Sequence, residues 1–443
     1  MLEFKDRGLF MNRFLKRWHD ADPSLKLFLF GVLFLGINSG IVSGAFNNYL
    51  HDVQGLTSQQ RGILEFPREF PGFALVFMTG ALAFLSVERW AVLTGLFAGT
   101  GLLCLALLPP SYWQMIIWML LWSIGTHLFM TVESVMGLRF AKKGGQGRRL
   151  GQISGATNFA AIIAAGIIWL TARYTVSPLL YKIVFLAAGI CAFLAAFVFS
   201  RMKAQGENIV PKGEKFVYRK KYNIFYAMNI LSGARKQIFM TFAPWVLVTI
   251  YGTAPDTMAM LLLIASFLGV VFRQIFGIVV DRYGERVMFM ADGMILLLIC
   301  SGFVFSTYVP LLFCLYILDN LMFSMRIART TYMNKIAEKK SDITPSLSLG
   351  VTLDHAVSMT IPALGGVLWA AFGYKSVFIV ASMLSLITFL LAYLMKLPAD
   401  EELPSAEASG RALTAQASAA AAASVSAPSA SFHEEGKLGA NAK

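Results

Sequence analysis

The sequence predicts an all-α polytopic membrane protein whose twelve transmembrane helices form two pseudo-symmetric six-helix bundles. Three observations carry this: a charge-poor composition, apolar runs recurring at membrane-spanning length, and an echo of the first half in the second. Hydrophobic residues fill 57% of the 443 positions and charged residues 14%, against about 25% charged in a typical soluble domain. Such a composition suits a chain solvated by lipid rather than one water-soluble core.

A span needs roughly 20 apolar residues to cross the hydrocarbon, and runs of that length fall at 25–50, 58–84, 88–109, 112–140, 149–172, 177–201, 222–251, 256–280, 286–307, 309–335, 346–371 and 374–397. Backbone groups in lipid must be paired internally, so each run is read as a helix. Span one carries Gly31, Gly36, Gly40 and Gly44 for close packing, with Asn38, Ser39, Asn47 and Asn48 among its polar residues. Span two opens at a Thr57 or Ser58 cap and holds the densest charge cluster, Arg61, Glu65, Arg68 and Glu69, loosened by Pro67 and Pro71. Spans three, six and twelve are almost wholly apolar. Span four contributes His127 and Glu133, span five the small residues from Ser154 to Gly166, and span eight Arg273 close to one end. Span seven places Arg235, Lys236 and Gln237 near its middle, span ten holds Asp319, Asn320 and Arg326, and span eleven holds Asp354 and His355.

Lysine and arginine collect in cytoplasmic connections. One set of connections is rich in them, including Lys5 to Lys26 before span one, Arg139 to Arg149 after span four, and Arg201 to Lys221 after span six; the alternate set holds only Arg173 and Lys375. This puts both termini on the cytoplasmic side of the inner or plasma membrane and accounts for the net charge of +13 without nucleic acid. The chain divides into a cytoplasmic segment 1–24, a first bundle 25–201, a basic linker 202–221, a second bundle 222–397 and an Ala/Ser-rich tail 398–443 read as disordered.

Cys104, Cys191, Cys300 and Cys314 all fall inside spans without metal-ligand spacing. With His127 and His355 on separate helices, no metal set is expected, nor any cofactor, catalytic nucleophile or phosphate-binding glycine loop. Enzymatic chemistry is not expected.

The halves echo each other. Ser39-Gly40 corresponds to Ser232-Gly233, Gly80 to Gly277, and Gly166 with Trp169 to Gly366 with Trp369. The loop Gly277-Ile-Val-Val-Asp281-Arg282-Tyr-Gly284-Glu-Arg286 resembles the G-x-x-x-D-R-x-G-x-R/K signature of the major facilitator superfamily of secondary transporters. The first-half copy keeps Gly80 and Arg89 but puts Phe84 in place of the aspartate. The resemblance implies two halves rocking about a midplane site lined by spans one, four, seven and ten, with Gly277, Asp281, Arg282, Gly284 and Arg286 as a conformational latch. Without the family, Gly284 still permits the tight turn, and Asp281 at a helix C-terminus should seek Arg282, Arg286 or the N-terminus of a neighbouring helix.

A charge at the centre of a span costs roughly 2.5 to 3.5 kcal/mol by insertion scales, so it faces a wet cavity, a counter-ion or a substrate. Arg235 and Lys236 are adjacent and point about 100° apart. Either Arg235 binds an anionic group of the solute, or both cations are neutralised by Glu65, Glu69, Asp319 or Asp354. Arg235, Lys236, Gln237, Asn38, Asn47, His127, Asp319, Asn320 and Arg326 are the candidate substrate contacts. Glu65, Arg68, Glu69, Glu133, Asp354 and His355 either carry a coupling ion or form an inter-helix ion network. The expected function is secondary transport of a small anionic or zwitterionic solute, coupled to protons or sodium, by a monomer in the bilayer. A drug or metabolite exporter of the same fold is one alternative; a non-transporting receptor or assembly factor is another, motivated by the missing aspartate.

Overall fold

The computed structural model describes residues 22–395 apart from 83, 109–110, 142–145, 176, 204–217 and 324–326. The segment before span one, most of the linker and the tail therefore lie outside the described residues. Helices lie over every predicted span: α1 (Pro23–Asp52), α2 (Ser58–Phe73), α3 (Leu75–Ala81), α4 (Val87–Leu107), α5 (Tyr112–Arg139), α6 (Gln146–Tyr174), α7 (Leu179–Ser200), α8 (Asn223–Thr249), α9 (Pro255–Phe305), α10 (Val309–Met322), α11 (Ile327–Ile336), α12 (Lys340–Phe372) and α13 (Tyr374–Leu394). Spans two and ten are each made of two helices, α2 with α3 and α10 with α11. Spans eight and nine run together in α9, which turns at Gly284 with φ 78° and ψ 170°. That left-handed backbone favours glycine, as the loop motif anticipates.

Among the described residues, nine helical segments are long and apolar enough to cross a membrane. Spans two, seven and ten are outside that set, because Arg61 to Glu69, Arg235 with Lys236, and the break between α10 and α11 interrupt them. These are the helices that carry the site. Large apolar side chains such as Phe77, Trp113, Phe267, Leu298 and Met383 stand exposed around the outside, as a lipid-facing surface requires.

Within each half, glycine sets the closeness of packing. A Cβ on Gly40 would lie 2.6 Å from Ala164 of span five, and one on Gly233 would lie 2.7 Å from Asp354 of span eleven. The repeated Ser-Gly pair thus does the same work twice, letting the first helix of a half approach its fifth. Thr57 caps α2 in a reciprocal arrangement with Gln60, satisfying two of the helix's orphan donors.

The halves meet along two helix pairs, α2 with α12 and α6 with α9. Their contacts are closest at the lysine-poor face: a Cβ on Gly62 would lie 2.2 Å from the Pro362 carbonyl oxygen, and one on Gly366 would lie 2.7 Å from that of Ser58. Asn48 donates across the same face to the Thr253 carbonyl at 2.8 Å, and His51 packs its ring against Trp245. Toward the basic face, a Cβ on Gly80 or Gly155 would meet nothing within 4 Å.

Two substitutions separate packing glycines from free ones. A Cβ on Gly95 would lie 2.5 Å from the Ala192 carbonyl oxygen on α7, so Gly95→Ala is expected to destabilise by about 1 to 3 kcal/mol. Gly80→Ala, with open space around it, should leave stability unchanged or slightly raised. Thermal unfolding of purified protein in detergent checks both.

Candidate functional site

Span two lies against spans four, seven and eleven, and its charged turn is the hub of a buried network. Arg61 Nη1 donates to Glu65 Oε1 at 2.5 Å, and Arg68 reaches Glu65 Oε2 at 2.5 Å and Glu69 Oε1 at 2.6 Å. The i+3 and i+4 spacing puts these groups on one helix face, as the sequence indicates. Arg61 also donates from Nε to Asn47 Oδ1 of span one at 3.0 Å, which brings Asn47 into the cluster. Ser123 Oγ on span four donates to the Arg68 carbonyl.

The network crosses to the second half in two places. Gln237 Nε2 donates to Glu65 Oε2 at 2.8 Å, and His355 Nδ1 lies 3.1 Å from Glu69 Oε2. His127 approaches the same oxygen at 3.7 Å from span four. Both imidazoles fit because Gly72 has no side chain: a Cβ there would fall 2.5 Å from His355 Nδ1 and 2.6 Å from His127 Cδ2. Sequence spacing suggests no such set, since His127 and His355 stand on separate helices; packing against Gly72 brings them together with Glu69.

Arg235 and Lys236 diverge as helical geometry demands. Arg235 Nη1 donates to Asp319 Oδ1 of span ten at 2.5 Å, and Lys236 Nζ to Asp354 Oδ2 of span eleven at 2.5 Å. Both cations therefore have counter-ions, as the second of the two sequence readings has it. Yet Arg235 Nε is buried without a hydrogen-bond partner. Arg235 lines a cavity in the second half whose polar wall is Ser232, Arg235, Lys236, Asp292, Arg329 and Thr388 and whose apolar wall includes Met228, Phe289, Met322 and Phe323. The cavity lies between the midplane and the basic face.

Other expected contacts are placed elsewhere. Asn38 donates to the Ala188 carbonyl at 3.0 Å inside the first half, and Asn320 to the Tyr316 carbonyl one turn back at 2.8 Å. Glu133 is half-buried, almost two turns beyond His127. Arg326 and the side chain of Asp281 lie outside the described residues, and Gly277 falls within α9. Arg282 lies against the Tyr283 ring, and Arg286 donates to the Tyr393 carbonyl at 2.5 Å, which ties the loop to the end of span twelve.

Sequence reasoning missed three participants, Asp292, Arg329 and Glu285, and weighed Glu88 only as a substitute for the missing aspartate of the first-half loop. Nothing in the spacing around Asp292 or Arg329 marks either residue. Glu285 and Glu88 form ion pairs with Lys335 at 2.9 Å and Arg139 at 2.6 Å. These two pairs occupy matching places in the halves, each joining the start of the third helix to the end of the fourth. The repeat offset of the loop glycines carries Glu88 onto Glu285, and that signal was available in the sequence.

Residues 225–432 match the family model of the Major Facilitator Superfamily. Among solved structures, the chain is similar to the nucleoside transporter NupG (TM-score 0.67, 13% identity, covering 85% of this chain and 100% of that one). It is also similar to a D-xylose-proton symporter (0.63, 14%, 86% and 98%) and to a bacterial homologue of the human lysosomal transporter Spinster in an inward-facing, occupied conformation (0.64, 13%, 84% and 95%). No curated protein sequence is significantly similar. Identities this low speak for fold alone. The match over residues 225–432 supports the resemblance drawn from the Gly277–Arg286 loop, and the chain is a multi-pass membrane protein with the fold of these transporters.

Removing one member of a buried ion pair strands the other. Arg235→Leu is expected to destabilise by about 3 to 5 kcal/mol, and the double substitution Arg235→Leu with Asp319→Leu to recover most of that loss. Denaturation midpoints of the two variants and the parent give the comparison.

Proposed function

We propose that the chain is a secondary transporter that moves a small anionic or zwitterionic solute by alternating access, coupled to protons. The observation that carries this reading is Arg235, whose guanidinium is anchored by Asp319 yet has a buried Nε with no acceptor, at the wall of a cavity. A carboxylate or similar acceptor on the solute would complete it. The planar fork of arginine suits such a group. The apolar wall then houses the body of the solute.

Alternating access is supported by the distribution of contacts. The lysine-poor face is sealed by backbone approaches at Gly62 and Gly366 and by the network around Glu65, whereas the cavity lies on the side of the basic connections. With basic loops on the cytoplasmic side of the inner or plasma membrane, this is an inward-open state. Outward opening must break Gln237–Glu65 and His355–Glu69, which therefore act as a closed-state lock. The coupling proton is best assigned to Asp292. Both oxygens of Glu65 are already taken by Arg61, Arg68 and Gln237, while Asp292 faces the cavity where solute binds. One chain supplies the whole site, so the monomer is the working unit. The similar structures of a nucleoside transporter and a proton symporter for D-xylose support transport of a polar solute with proton coupling. The Met and Phe wall favours a second reading, efflux of amphipathic compounds.

Reconstitution in proteoliposomes tests this. A pH gradient is expected to drive accumulation of anionic or zwitterionic metabolites, with Arg235→Gln raising KM and Asp292→Asn reducing pH-driven accumulation far more than zero-gradient exchange. Flux confined to amphipathic compounds would favour efflux. Binding without flux would leave a receptor.

A further inference from the structure

Glu69 already has Arg68 as its counter-ion, yet His127 and His355 also gather around its second oxygen. One donor atom from each of Glu69 and the two histidines lies within 4.8 Å of the other two, and all three side chains are buried. Glu69 and His127 belong to the first half and His355 to the second, so the group exists only while the lysine-poor face is shut.

The hydrogen bonding around the cluster prepares it for a cation. His127 Nδ1 lies 3.0 Å from the Ser123 carbonyl oxygen and 3.1 Å from Ser123 Oγ, whose own proton goes to the Arg68 carbonyl. Both neighbours accept, so Nδ1 carries the hydrogen and Nε2 turns a lone pair toward Glu69 Oε2. That is the outer hydrogen bond by which proteins fix the ring of a metal-bound histidine. Glu69 divides its two oxygens: Arg68 holds Oε1 at 2.6 Å, and Oε2 faces the imidazoles at 3.1 and 3.7 Å. A tetrahedral ion with bonds of about 2.0 to 2.1 Å sets ligand edges near 3.4 Å, which these two distances bracket. Arg68 opposes a further positive charge, but its own charge is also balanced by Glu65.

We propose that Glu69, His127 and His355 bind a divalent transition-metal ion of the zinc type between the two halves, and that the bound ion holds the lysine-poor face closed. Two imidazoles and a carboxylate match the preferences of Zn2+ and leave a fourth position for water. Because the ligand set is whole in one state only, the ion stabilises that state by its differential affinity. The site itself does not depend on which solute is carried.

The test uses full-length protein stripped with chelator and titrated with Zn2+ alone, with Co2+ substitution read by optical absorption. One ion per chain is expected, bound at least about tenfold more weakly by His127→Gln and by His355→Gln. His355→Cys keeps a ligand in place and should add a thiolate–cobalt band; a folded His355→Cys protein without that band overturns the assignment. Wild-type binding no tighter than that of the double histidine variant also overturns it and leaves a site held by protons alone. Spin labels at Val53 and Ile250, on opposite halves of the lysine-poor face, should show a narrower distance distribution with zinc. An unchanged distribution overturns the closing role.

Discussion

Everything at the centre of this molecule depends on keeping charge compensated inside a low-dielectric slab. Span two contributes two arginines and two glutamates within nine residues, and no single helix could hold them in lipid. Their partners come from spans one, four, seven and eleven, so satisfying span two dictates which helices surround it. The second half solves the same problem with Arg235–Asp319 and Lys236–Asp354. Charge pairing thereby does what a hydrophobic core does in a soluble domain, because apolar side chains gain little by leaving one hydrocarbon surrounding for another.

This division of labour explains what could be read in the sequence. Span positions depend on length and apolarity, both local, and helices cover every predicted run. Gly284 was legible because a motif position demanded a positive φ. The charged turn of span two was legible because its members sit three and four residues apart on one helix. The pairings were not, since Arg235 and Asp319 are 84 residues apart and Glu69 and His355 are 286 apart. Periodicity places a residue on a helix face but not opposite a particular partner. For Arg235 and Lys236 the two alternatives, counter-ion or substrate, could therefore be stated, but the particular counter-ions could not be assigned. Asn38 and Asn320 show the converse: polar residues on spans expected to line the cavity that spend their amides on nearby carbonyls.

The pseudo-symmetry extends further than the loop motif suggests. The first-half loop has Phe84 where the second has Asp281, which in isolation looks like the loss of a functional element. The Glu88–Arg139 and Glu285–Lys335 pairs are nevertheless retained on both sides. Each fixes the third helix of its half to the fourth at the basic face. The halves are thus alike in how they hold themselves together and unlike in their loops.

The order of these pairs along the chain bears on how the protein is made. Arg235 and Lys236 leave the ribosome before Asp319 and Asp354, which follow 84 and 118 residues later. At about 5 to 20 residues per second, span seven emerges on the order of ten seconds ahead of its counter-ions. During that interval Asp319 and Asp354, the carboxylates that pair with its two cations in the folded protein, are still to come, and span seven is one of the three outside the apolar set. The charge balance of this helix thus depends on segments made after it, which ties span seven to spans ten and eleven as parts of one unit rather than as helices that stand alone.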